Sequence, residues 1–176
     1  MQKANFMGKP VFLVGYMGSG KTTTGKKLAK NIGYFFFDLD NEIEKLAGKT
    51  IPQIFADEGE DAFRLLEHSM LVSLSNRKNV VVSTGGGAPC YFDNMALMKK
   101  TGVTVYINMK PESLANRLLN AKVKRPVIEG ISEKELPLFI ASHLAKRKEF
   151  YEMALFKIKG ENLEMENLIK LVKEYL

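Results

Sequence analysis

One stretch of this chain leaves its backbone little choice. Gly15-Tyr-Met-Gly-Ser-Gly20-Lys21-Thr22 places a glycine, four residues, a glycine, a lysine and a threonine in succession. The apolar run Val11 to Gly15 leads into it, and a helical pattern over Thr22 to Ile32 leaves it. Strand, glycine turn and helix in that order form the phosphate-binding loop pattern. Phosphate oxygens must reach several backbone N–H groups at once, so side chains are excluded at Gly15, Gly18 and Gly20. Lys21 then sets an ammonium against the outer phosphates, and the Thr22 hydroxyl suits Mg²⁺. A plain turn needs neither, so the loop implies a nucleoside triphosphate. Lys26, Lys27 and Lys30 on the following helix read as a solvated face.

Further apolar runs of strand length occur at Tyr34 to Phe37, Val80 to Ser83, Val103 to Ile107 and, more weakly, Leu155 to Ile158. The first four runs are nearly continuous in apolar character, which predicts strands buried on both faces of a parallel sheet. Helical patterns cover Asn41 to Ala47, with Gly48 as a stop signal, then Asp61 to Asn76, Glu112 to Asn120, Glu133 to Met153 and Glu164 to Leu176. In the second of these, Phe63, Leu66, Met70 and Leu74 share one helix face. The alternation predicts an α/β fold, a three-layer sandwich with a central five-stranded parallel sheet. At 176 residues the expectation is one domain spanning 1–176. The stretch Ala121 to Ser132, with Lys122, Lys124, Arg125, Pro126 and Gly130, reads as a mobile basic loop.

Charge narrows the partners. The net charge of +6 fits an anionic ligand, but the Lys and Arg residues are dispersed instead of forming a tract with interleaved aromatics. Nucleic acid is therefore not expected. A lone cysteine, Cys90, excludes an internal disulfide, and no apolar run reaches the length of a membrane span. Met1 to Lys9 is polar and carries no export pattern, so the expected location is the cytoplasm. His68 and His143 have no sequence neighbours that would complete a zinc site, and Cys90 reads as a bystander thiol.

Asp38 and Asp40 close the second strand run, where residues two apart point the same way. Both then stand at the carboxyl edge of the sheet, the ligand edge of open α/β folds. There they can hold Mg²⁺ or accept the proton of an attacking hydroxyl; Asp40 can instead cap the helix that follows. The third strand runs into Ser83-Thr84-Gly85-Gly86-Gly87-Ala88, where three glycines are costly in backbone entropy unless something approaches closely. A ligand is the natural candidate, an ordinary loop the alternative. Arg64, with Glu67 one turn on, suits a substrate carboxylate or a surface ion pair.

Taken together, these residues resemble the shikimate kinases. The Gly15 to Thr23 loop, Asp38-Leu-Asp40, Ile54-Phe55 through Phe63-Arg64, Gly85-Gly86-Gly87-Ala88, Arg125-Pro126 and Lys146-Arg147 with Tyr151 occur in that family's order. The resemblance implies a P-loop kinase fold with a lid at about 120–134 and a substrate-binding helical region at about 41–76. It implies transfer of the γ-phosphate of ATP to the 3-hydroxyl of shikimate, with Mg²⁺, by a monomer. By that likeness Gly18, Ser19, Gly20, Lys21, Thr22 and Thr23 hold ATP, Arg125 enters over the phosphates from the lid, and Arg117 stacks on adenine. Asp40 contacts the reacting hydroxyl, and Asp40, Lys21 and Arg125 form the catalytic set. Arg64 and Arg147 hold the substrate carboxylate, Phe55 and Phe63 wall the pocket, and Gly85, Gly86 and Gly87 approach the substrate. Thr22 binds the metal directly, while Asp38 and Ser83 reach it through water. Two features depart from the family: Val127 and Ile128 stand where two leucines are commoner, and Phe156-Lys-Ile-Lys159 is unusually basic. The rivals are another small-molecule kinase, such as a gluconate or nucleoside kinase, and a nucleotide-binding regulatory module.

Overall fold

Val11–Val14, four apolar residues with no measurable exposure, form β1 at the centre of the sheet. The structure is a computed structural model that describes residues 8–121, 126–128 and 130–176. Around β1 lie β2 (Phe35–Asp38), β3 (Val80–Ser83), β4 (Val103–Asn108) and β5 (Phe156–Lys159), all parallel, in the order β2-β3-β1-β4-β5. Leu13 pairs with Ser83 on one side and Val105 on the other, and Asp38 pairs with Ser83.

Side chains alternate across the sheet and supply two cores. On one face Phe12, Val14, Val80, Val82 and Tyr106 pack against α2 (Leu39–Ala47), α3 (Ile51–Ser75), α4 (Asn94–Thr101) and α6 (Leu136–Glu152) through Ile43, Leu71, Met98 and Tyr151. On the other, Val11, Leu13, Val81, Val105 and Ile107 meet Leu28 of α1 (Lys21–Ile32) and Leu168 and Val172 of α7 (Met165–Lys173). Each such aliphatic side chain, removed from water, contributes roughly 1.5–3 kcal/mol. A third cluster joins Tyr16 and Met109 to Leu114 and Leu118 of α5 (Pro111–Leu119) and to Leu136 and Ile140 of α6. It ties the glycine loop to the helices that flank residues 120–134.

The sandwich of helices on both sides of five parallel strands matches the expectation, but four local readings change. β2 is an edge strand, so it lacks the two-sided burial that its Phe-Phe-Phe run predicts, and Phe35 is 72% exposed. α2 starts at Leu39, which puts Asp38 at the helix cap position and Asp40 inside the first turn. The two aspartates therefore do not share a strand, and Asp40 is not a cap. α3 begins at Ile51, ten residues before the predicted Asp61. Thr50 and Gln53 close a reciprocal capping box, with Gln53 N–H donating to Thr50 Oγ1 (3.4 Å) and Thr50 N–H to Gln53 Oε1 (2.8 Å). Gly59, at φ 83° and ψ 174°, breaks α3 into two helices and hides the first from a periodicity count. α4, short and built on Met95 and Met98, has no counterpart among the predicted helices.

Candidate active site

The carboxyl ends of β1, β2 and β3 carry the glycine loop, Asp38 and Ser83 to one edge of the sheet. The loop after β1 turns at Gly15, Gly18 and Gly20, with φ of 145°, 79° and 94°, values that a side chain makes costly. No side chain caps α1, and the N-terminus of a helix entered through a glycine turn of this kind suits an anion. Lys21, 8% exposed, donates to the carbonyls of Gly15 (2.8 Å) and Tyr16 (2.9 Å), which holds its ammonium across the loop. Ser19 Oγ is buried and has no hydrogen-bond partner among the described residues. Thr23 is exposed.

A second set converges on the Thr22 hydroxyl. It donates to Asp38 Oδ2 at 2.7 Å and stands 3.5 Å from Ser83 Oγ. Two hydroxyls and one carboxylate, all hard oxygen donors, suit Mg²⁺, which takes few protein ligands and shares the rest with phosphate and water. Among the described residues no cluster of three or more His, Cys, Asp or Glu offers a competing metal centre.

Two glycines of the loop after β3 make room for the protein's own side chains. A β-carbon on Gly85 would lie 2.7 Å from Glu67 Oε1 and 3.0 Å from Asp40 Oδ1, and one on Gly87 would lie 2.9 Å from both Nη atoms of Arg64. Gly86 is not crowded in that way; its carbonyl accepts a 2.5 Å hydrogen bond from Tyr151, a fully buried phenol. Ligand approach alone therefore does not explain three glycines, because two of them make room for Asp40, Glu67 and Arg64.

Arg64 is held on several sides. Its Nη1 donates to Glu67 Oε2 (2.8 Å), while its Nε and Nη2 donate to Glu60 Oε1 (3.2 and 3.0 Å). Glu67 is 1% exposed, and burial pushes its carboxyl up to about 7 against the pull of Arg64, with Asp40 and Glu60 adding to the rise. Phe55 and Phe63 stack with ring centres 4.8 Å apart beside this arginine, whose Cζ lies 5.1 Å from the Phe63 ring. Arg147 approaches from α6 with its Cζ 5.3 Å over the Tyr16 ring, and its charge reaches Glu60 and Cys90.

Arg117 of α5 donates to the carbonyls of Gly18 (3.4 Å) and Ser19 (3.2 Å) and, through its other Nη, to Gly160 (3.3 Å). It thus bridges the phosphate loop to the turn after β5. Arg125 lies outside the described residues, as do Lys122 and Lys124 of the basic loop. Cys90 is half-buried, and burial lifts its thiol to about 11, which leaves it protonated and inert. His68 is hydrogen-bonded to Asn94 Oδ1 (2.7 Å), with Asp93 Oδ1 at 4.0 Å, and His143 to Tyr16 Oη (3.2 Å). Sequence reasoning missed Glu60 and Tyr91. Glu60 was findable from its i,i+4 spacing to Arg64, whereas Tyr91, which donates to Glu60 Oε1 (2.9 Å), comes from a turn with no periodicity to read.

This sheet and this loop define the class, a P-loop kinase with helices on both faces of a five-stranded parallel sheet. The profile of the family described as shikimate kinase matches residues 17–176. A shikimate kinase of Parabacteroides distasonis is 50% identical over 159 residues, 90% of this chain and 92% of that protein. The crystal structure of the shikimate kinase from Bacteroides thetaiotaomicron aligns with a TM-score of 0.88 at 43% identity, covering 94% of this chain and 97% of that one. The shikimate kinase from Acinetobacter baumannii, solved in complex with shikimate, gives a TM-score of 0.84 at 34% identity, covering 97% and 93%. The chain belongs to the shikimate kinase family and is an ATP-dependent phosphotransferase.

Proposed function

We propose that this edge of the sheet transfers the γ-phosphoryl group of ATP to the 3-hydroxyl of shikimate, giving shikimate 3-phosphate and ADP. The observation that carries the assignment is that Asp40 and Glu67 both fill the space a β-carbon on Gly85 would take, while Arg64, paired with Glu67, fills that space at Gly87. A carboxylate that can take a hydroxyl proton and a guanidinium that can take a carboxylate then stand within the span of one small ring, beside a phosphate loop.

Phosphoryl transfer passes through a loose transition state, so positioning and positive charge dominate its catalysis. The glycine loop from Gly18 to Thr23 holds the triphosphate. Lys21 leaves the carbonyls of Gly15 and Tyr16 for the β- and γ-phosphates, and Arg125 adds charge from the lid. Asp40 orients the alcohol and accepts its proton as the new P–O bond forms and the bond to the β-phosphate breaks. Arg64 and Arg147 hold the substrate carboxylate, Phe55 and Phe63 cover the ring, and Gly86 contributes a backbone N–H, with Gly85 and Gly87 beside it. Arg117 borders the adenine. Thr22, Asp38 and Ser83 would hold Mg²⁺, which would supply charge neutralisation to the phosphates.

The same reading takes residues 1–176 as one catalytic domain working as a monomer in the cytoplasm, without nucleic acid or membrane partners. Its support is that one chain supplies every group named, and that among the described residues no helix is long and apolar enough to cross a membrane. Proton and phosphorus NMR of a reaction with ATP, Mg²⁺ and shikimate tests the chemistry. A phosphomonoester at C3 is the expected product, and esterification at another hydroxyl contradicts the pose.

A further inference from the structure

The turn between β3 and α4 grips the arginine helix at a point that the phosphotransfer reading leaves unused. Tyr91 follows the short 3₁₀ turn Ala88–Cys90 and lays its ring against the Arg64 guanidinium, with Cζ 4.0 Å from the ring centre. At that distance the ring offers its negative face to the cation. The Tyr91 hydroxyl donates to Glu60 Oε1 (2.9 Å), the same oxygen that accepts Arg64 Nε and Nη2. Ring and hydroxyl thus act on one guanidinium, directly and through its counter-ion.

The turn that presents Tyr91 is itself fastened to α3. Phe92 adopts φ 48°, a left-handed conformation unfavourable for a residue with a β-carbon, and its ring packs on His68 (5.1 Å). Asn94, fully buried, donates to the Ala88 carbonyl (2.8 Å) and contacts His68 Nδ1 (2.7 Å). Tyr91, Phe92 and Asn94 therefore clamp the end of the glycine loop to the helix that carries Arg64.

Glu60 and Glu67 between them accept from Nε, Nη1 and Nη2 of Arg64. We propose that Tyr91 is a positioning residue for substrate binding, holding the Arg64 fork and its Glu60 partner in the orientation that an incoming carboxylate meets. The proposal rests on Arg64 binding the substrate carboxylate. Preorganisation of this kind strengthens binding without altering the transferring phosphate, so its signature lies in KM for the acid.

The test uses the full chain with Tyr91→Phe, Tyr91→Leu, Arg64→Ala and the Tyr91→Leu/Arg64→Ala double variant. Steady-state kinetics are run on shikimate and on its carboxamide. Tyr91→Phe keeps the ring and should raise KM for shikimate about threefold; Tyr91→Leu should raise it about tenfold. Turnover at saturating shikimate and KM for ATP should move by less than about twofold. With the carboxamide, or in the Arg64→Ala background, the Leu substitution should change KM by less than about twofold. An unchanged KM for shikimate in both Tyr91 variants overturns the proposal, as does a loss of equal size with the carboxamide or without Arg64. If Tyr91→Leu does not fold, Tyr91→Phe decides alone. If Arg64→Ala leaves KM for shikimate unchanged, the carboxylate assignment of Arg64 is what fails, and the proposal falls with it.

Discussion

The Glu67 carboxylate, almost sealed from water, meets the Arg64 guanidinium at 2.8 Å, and its other oxygen fills the space that a β-carbon on Gly85 would take. A buried acid in this position is costly to ionise, and burial is the main reason its carboxyl titrates near 7. Arg64 pulls the other way, and Asp40 and Glu60 face the same group.

That titration has a sign. Between the ordinary value of 4.5 and about 7, the folded chain binds a proton at Glu67 that the unfolded chain does not. Stability from this group therefore falls as pH rises through that window and is flat above it, by roughly 3 kcal/mol if the whole shift is expressed. Glu67→Gln removes the titration. The melting temperature of the variant minus that of the native chain should rise from pH 5 to pH 7.5, measured by circular dichroism; a constant difference contradicts the assignment. An ionised Glu67 also holds Arg64 more firmly, so KM for shikimate should fall as pH rises from 6 to 8 in the native chain and not in the variant.

Gly85 and Gly102 separate activity from stability. A β-carbon on Gly85 meets only the ends of Glu67 and Asp40, whereas one on Gly102 would lie 2.2 Å from the Pro10 carbonyl oxygen, a backbone atom that cannot step aside. Gly85→Ala should cut kcat/KM by about tenfold or more, because a misplacement of an ångström at a reacting group is enough. Gly102→Ala should lower stability by about 1–3 kcal/mol, as overpacking does, and leave KM for shikimate near its native value. Denaturant melts and kinetics on both variants check the split, and the reverse pattern refutes it.

Asp40→Asn keeps the shape of the carboxylate and removes its basicity. Turnover should drop by about 10²–10⁴-fold, the usual worth of a positioned general base, with ATP affinity changed little by calorimetry. Near-native turnover would remove Asp40 from the reaction.

The metal set predicts a different phenotype. Asp38→Asn and Ser83→Ala should each raise the Mg²⁺ concentration for half-maximal rate, Asp38→Asn by more, since it loses a charge on the oxygen nearest Thr22 Oγ1. Rates titrated with Mg²⁺ at fixed ATP measure this. An unchanged Mg²⁺ dependence in both variants refutes the placement.

Much of this was legible before any fold was known, for physical reasons that differ by element. The phosphate loop is readable because its chemistry forbids side chains at fixed spacings, and the parallel sheet because its buried strands are apolar without alternation. Position along the sheet is not written in the residues: Phe35-Phe36-Phe37 looks like a central strand, yet β2 lies at the edge, covered on fewer sides. Asp40 was located but misdrawn, since the switch from strand to helix between Asp38 and Leu39 has no glycine or proline to mark it. The triple glycine announced close approach without saying by what. Tyr91 was invisible because its partners, Glu60 and Arg64, are about thirty residues away in sequence and meet it only once the turn is fastened to α3.

The central claim is that the phosphate loop and Asp40 serve one alcohol that carries a carboxylate. ADP release followed by a coupled assay, with ATP and Mg²⁺ fixed and shikimate varied, measures it most directly. The expected result is saturable release that depends on shikimate, matches shikimate 3-phosphate mole for mole and is far weaker with gluconate or a nucleoside. ADP release at the same rate with and without shikimate would contradict the account.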